Sequence, residues 1–138
     1  MTISVRHEGR DRFRIQMRQH ELVVDQPAPV SGDDGPTPTE LFVASLAACA
    51  AFFGRRFLAR RGVPDGGLAV SCDWVWAPDR TRVDRIDIRL EVPEPLTPEL
   101  EAGLLRAAER CTVETTIRAQ PHITRQVVVP TPEATVQL

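Results

Sequence analysis

Apolar and polar residues alternate strictly along "FRIQM". Phe13, Ile15 and Met17 fall on one face, and Arg14 and Gln16 on the other, which predicts a half-buried strand. "ISVRH" before it alternates more weakly, and "ELVVD" follows after a short turn, so the first 25 residues read as three strands. Gln26–Pro38 is dense in Pro, Gly and Asp and reads as a loop. A long helix then begins. Thr37 and Glu40 have capping-box spacing, Pro38 sits at the first helical position, and Gly62 and Pro64 supply the stop. The predicted helix has about 24 residues and a length of roughly 36 Å. Up to Gly54 its apolar residues occur all round, which predicts burial on most sides. Beyond Gly54 come Arg55, Arg56, Arg60 and Arg61, which predict an end in water or against acids.

The period returns to two in "LAVSCDWVW", where Leu68, Val70, Cys72, Trp74 and Trp76 share a face, and in "RIDIRLEV", where Ile86, Ile88, Leu90 and Val92 do. "APDRTR" between them is the expected hairpin turn. A second helix is predicted from Thr97–Pro98, with Leu100, Leu104, Ala108 and Cys111 at helical spacing. Thr112 reads as the N-cap of a short helix stopped by Pro121, and "ITRQVVV" reads as a final strand. No repeat and no long linker interrupts the chain, so 1–138 is expected to be a single domain. The order β-β-β, α, β-β, α-α, β predicts an α+β fold, with hairpin-joined strands rather than βαβ repeats.

Composition narrows the function. The chain has 138 residues and a formal net charge of −2, which offers no electrostatic case for nucleic acid or an anionic membrane. All 17 basic residues are Arg. The N-terminus has no apolar segment of the secretory kind, and the apolar run Leu41–Gly54 is too short to cross a bilayer. A soluble cytoplasmic protein is the expectation. The thiols Cys49, Cys72 and Cys111 form no CxxC pair, and the three histidines lack ligand spacing, so no metal or other cofactor is expected.

Cys72 lies on the inward face of a strand and reads as core. Cys49 sits among Ser45, Ala47, Ala48, Ala50 and Ala51. Small neighbours suit close helix packing, or the close approach of a substrate, and both readings stand. Eleven residues separate Cys49 from the first helical position, too far for the helix dipole to lower its pKa. A reactive Cys49 would therefore need a cation, Arg or His, from elsewhere in the fold.

"GPTPTELFVASLAACAAFFGRRFLARRG", followed downstream by "AAERCTVETTI", resembles the OsmC/Ohr family of osmotically inducible and organic hydroperoxide resistance proteins. The resemblance implies an OsmC-like fold, antiparallel sheets packed around a long central helix, in an intertwined homodimer with active sites at the subunit interface. It implies a thiol peroxidase that acts on organic hydroperoxides and is reset by an external dithiol. By position, Cys49 looks like the peroxidatic cysteine and Cys111 like the resolving one. "EGRDR" is similar to the family segment that supplies an activating arginine, making Arg10 the candidate, with Arg12 and Arg14 close by. A family carboxylate that orients this arginine lies ten residues before the reactive cysteine. Thr39 stands there, while Glu40, one residue on, is either that carboxylate displaced or the capping partner of Thr37. The proline expected after the second cysteine is Thr112. The alternative is a non-enzymatic member of the fold, a stress protein or binder of small apolar ligands with packing thiols. A thiol transferase has only the nucleophile in its favour.

Overall fold

The computed structural model describes residues 1–130. Strands β1 (Ile3–Gly9), β2 (Arg12–Met17) and β3 (His20–Val24) form an antiparallel meander. Helix α1 (Pro38–Arg60) follows, then the antiparallel hairpin of β4 (Ala69–Trp76) and β5 (Val83–Glu91). Helices α2 (Pro98–Glu109) and α3 (Thr112–Ala119) come last. The α+β class and the antiparallel pairing are as the periodicities predict.

α1 is set by its ends. Glu40 N–H donates to Thr37 Oγ1 at 3.2 Å, and Thr37 N–H donates to Glu40 Oε2 at 2.7 Å, a complete capping box. At the other end Gly62 takes a left-handed φ of 66°. Gly62 N–H then reaches Ala59 O, and Val63 N–H reaches Leu58 O, satisfying carbonyls that the last turn leaves open.

α1 differs from expectation in its burial. One stripe is covered: Val43, Leu46, Ala50, Gly54 and Leu58. It packs on α2, β4, β5 and α3. Phe42 and Phe52 on other faces are 40% and 52% exposed. Among the described residues α1 alone has the length and apolarity of a membrane span. Its best window averages a hydropathy of 1.6, because a whole helix tolerates polar residues that break an apolar run. Its buried stripe nevertheless faces protein, as in a core helix.

Paired positions on β4 and β5 bring Val70 opposite Leu90, Cys72 opposite Ile88 and Trp74 opposite Ile86. These half-buried residues form the face turned to α1. Trp74 and Trp76 meet edge to face, ring centroids 5.0 Å apart. In the meander, Val5 pairs with Ile15, Ile15 with Leu22 and Phe13 with Val24, so one face is apolar. Its main contacts are among its own strands, and every residue of β1 is exposed.

Two details of the C-terminal half correct the sequence reading. Cys111, not Thr112, is the N-cap of α3. Cys111 has the extended backbone of a cap, and its sulfur accepts a hydrogen bond from Glu114 N–H, while Thr112 is already helical. And "ITRQVVV" pairs with no strand among the described residues. Residues 121–130 form neither helix nor strand, with Ile123, Val127, Val128 and Val129 exposed.

Candidate active site

α1, which carries Cys49, packs against α3, the helix that Cys111 caps. Cys49, half-buried, lies midway along α1, one turn past Leu46 and next to the fully buried Ala50. Cys111 is 0% exposed. It sits where α2 has ended and α3 begins, because Arg110 stops α2 with a non-helical cap and the chain must re-cap at once. Cys111 N–H donates to Ala108 O at 3.2 Å, and its sulfur accepts from Glu114 N–H at 3.2 Å.

The electrostatics of Cys111 follow from this position. Burial pushes the thiol up from its ordinary value, since a thiolate there would lose its hydration. The Glu114 N–H opposes that rise. Contact with the Cys49 thiol adds to it, and so does the Glu114 carboxylate. Cys49 is thus the one other thiol among the groups that act on Cys111. No guanidinium is among the groups acting on Cys111.

Arg10 lies elsewhere, in the tight β1–β2 turn with a left-handed φ of 49°, and its carbonyl oxygen is 2.8 Å from His7 Nε2. Arg12 and Arg14 are already engaged. Arg12 binds Glu8 and Asp34, at 3.2 and 2.9 Å; Arg14 binds Glu8 and Glu21, at 2.5 and 3.2 Å. Among the described residues the Arg10 guanidinium has no such partner. Glu40 is held by the helix cap, nine residues and about 13 Å along the axis from Cys49.

Between α1, β5 and α3 lies a cleft of about 370 Å³. Phe42 and Leu46 of α1, Ile86 and Ile88 of β5, and Ile117 of α3 give it an apolar lining. At its rim Arg118 grips Glu114 through two nitrogens at 2.6 and 2.9 Å. This ion pair escaped the sequence reading, though its i, i+4 spacing in "VETTIR" was available as a signal. Cys72 stays apart, facing Ile88 across the hairpin, its thiol raised by burial first and by Asp73 second. No cluster of metal-ligating side chains occurs among the described residues.

Residues 31–125, which hold both thiols, the capped helix and the cleft, match the family model of the OsmC-like proteins. The chain belongs to the OsmC-like family. Solved structures agree with the fold of this OsmC-like chain. A Psychrobacter arcticus protein, named provisionally as an osmotic stress induced and detoxification response protein, superposes with a TM-score of 0.76 at 22% identity. That match covers 84% of this chain and 87% of the other. The OsmC-like protein of Mycoplasma pneumoniae gives 0.73 at 14% identity, over 86% and 87%. An OsmC-like hydroperoxide resistance protein from Jannaschia gives 0.56 at 24% identity, over 91% and 89%. No curated protein sequence matches the chain.

Proposed function

We propose that this chain is a thiol-dependent hydroperoxide reductase that works as an intertwined homodimer. The observation that carries the reading is the asymmetry of the two thiols: Cys49 is reachable from solvent, and Cys111, whose thiol Cys49 influences, is wholly buried. That asymmetry divides the labour. The Cys49 thiolate attacks the outer oxygen of a hydroperoxide, the O–O bond breaks, and the departing alkoxide takes a proton to leave as an alcohol. Cys49 is left as a sulfenic acid. The Cys111 sulfur then displaces water from it to form the disulfide, before a second peroxide can over-oxidise Cys49. An external dithiol restores both thiols by exchange and is itself oxidised. The apolar cleft beside Leu46 suits the organic half of the substrate. Names of similar structures, including a Legionella pneumophila organic hydroperoxide resistance protein, point the same way.

The homodimer supplies what one chain lacks. A compact globule of this mass exposes about 7,100 Å²; this chain exposes 10,866 Å². The open face of α1, the apolar face of the meander and the unpaired 121–130 segment all call for a second chain. In the proposal the meander of one subunit carries Arg10 to the thiols of the other, where its charge favours the Cys49 thiolate. Glu40 serves α1 as a cap.

The test is to treat reduced protein with cumene hydroperoxide and follow it by intact mass and by peroxide consumption. Wild type gains a Cys49–Cys111 disulfide, a loss of two hydrogens. Cys49→Ser loses turnover. Cys111→Ser forms the sulfenate and then gains further oxygens. Survival of both thiols in excess peroxide would overturn the proposal.

A further inference from the structure

A second and larger cleft, of about 970 Å³, runs between α1 and α2. Its charge is one-sided. Arg56, Arg60 and Arg61 line it from the α1 side, and Arg106 and Arg110 from the α2 side. Glu99 is the one carboxylate in the lining. Seven arginines elsewhere on the described surface each hold a carboxylate. None of these five does, among the described residues. Crowding like charges costs energy through their mutual repulsion. Gathering them over low-dielectric walls focuses a positive field into the cleft.

The floor is apolar. Phe53 and Phe57 project from α1, and Ala102, Gly103 and Ala107 face them from α2. The helices approach closely at Gly103: a Cβ on it would lie 2.4 Å from Phe57 Cζ, so the ring would have to shift. Arg61 is stacked over the Phe57 ring, Cζ 5.0 Å from the centroid, which holds one guanidinium in place at the cleft wall. Arg56 and Arg60 are one helical turn apart on α1, as Arg106 and Arg110 are on α2, so two cationic pairs come from opposite sides.

We infer that this cleft binds a small organic phosphate, a phosphate or diphosphate group joined to an apolar body. Planar guanidiniums bind phosphate oxygens in pairs, and five of them against one carboxylate suit a head with more than one negative charge. The phenylalanine floor takes the hydrocarbon. The volume lies within the range of sites for small molecules. The cleft adjoins the thiols, since Phe53 is one turn past Cys49 and Arg110 precedes Cys111. The binding needs no thiol chemistry and stands whichever way the peroxide experiment falls.

Calorimetric titration of the reduced full chain with dodecyl phosphate, below its micelle concentration, tests this. Saturable binding at one site per chain is expected, weakened by added salt. Inorganic phosphate, which lacks the body, and dodecanol, which lacks the charge, bind at least about tenfold more weakly. Arg60→Ala with Arg106→Ala lowers dodecyl phosphate affinity about tenfold or more, while Arg85→Ala, outside the cleft, leaves it as in wild type. Three results would overturn the inference: no saturable binding, dodecanol matching dodecyl phosphate, or the double variant binding like wild type. A double variant that changes the oligomeric mass overturns it too, by assigning the arginines to a subunit contact.

Discussion

What a cysteine can do depends on the atoms around its sulfur, and the two thiols here have different surroundings. Cys111 has no exposure, a raised thiol pKa and one backbone N–H for company. Cys49 has access. Iodoacetamide at about pH 8 is therefore expected to label Cys49 well before Cys111, read by peptide mass, because alkylation needs both a thiolate and a path to it. Equal rates would remove the asymmetry on which the proposed chemistry depends. Asp25 is the other residue whose surroundings decide its role. It is 1% exposed and accepts from Gln26 N–H at 2.8 Å and Asp34 N–H at 3.1 Å. A hydrogen bond from Ser31 is the largest cause holding its carboxyl below the usual value, ahead of the opposing burial and these backbone bonds. A depressed folded pKa means its stabilisation is present above the unfolded value, 3.8, and is lost as pH falls through the lower folded value. Asp25→Asn should lower the melting temperature at neutral pH, and the gap to wild type should close on acidification below that range. A gap independent of pH would contradict the ionised acceptor.

At the scale of elements, α1 was readable because its signals are local. Thr37, Pro38, Glu40 and Gly62 act through hydrogen bonds and dihedral preferences within a few residues, so spacing alone placed both ends. Thr37→Ala should cost about 1 kcal/mol in urea unfolding, by orphaning the Glu40 N–H. Glu40→Gln keeps an acceptor oxygen and should cost about 0.3 kcal/mol, through the helix dipole. If Glu40 is a cap, peroxide consumption by Glu40→Gln stays near that of wild type; a tenfold fall would instead give the carboxylate a part in the reaction. The start of α3 was misplaced by one residue for a related reason. Thr outranks Cys as a cap by propensity, but the Cys111 sulfur was already fixed by burial beside α1, and the next N–H groups had to use it.

At the scale of the whole molecule, the uncovered surfaces belong together. Residues 121–130 pair with no strand among the described residues, and Val127 and Val129 are 97% and 84% exposed. Burying each in a subunit contact is worth about 1.5 kcal/mol. Wild type should sediment at twice the chain mass, and Val127→Asp with Val129→Asp should weaken that dimer at least about tenfold. A wild type that is monomeric at micromolar concentration would undo the homodimer and, with it, the delivery of Arg10 across an interface.

The sequence by itself determined what local physics controls: the alternating strands, the capped and stopped α1, and the hairpin of β4 and β5. Each of these rests on interactions within a few residues or on a period of two or 3.6. Only the tertiary structure decided which face of α1 is covered, that Cys111 is the buried thiol and Cys49 the accessible one, that Arg12 and Arg14 are engaged while Arg10 has no carboxylate partner among the described residues, and that five arginines from two helices share a cleft. Those facts depend on how helices 62 residues apart in their cysteines pack together. Hydrophobic burial drives that packing without direction, and a pattern of apolar positions says that a face will be covered but not by what.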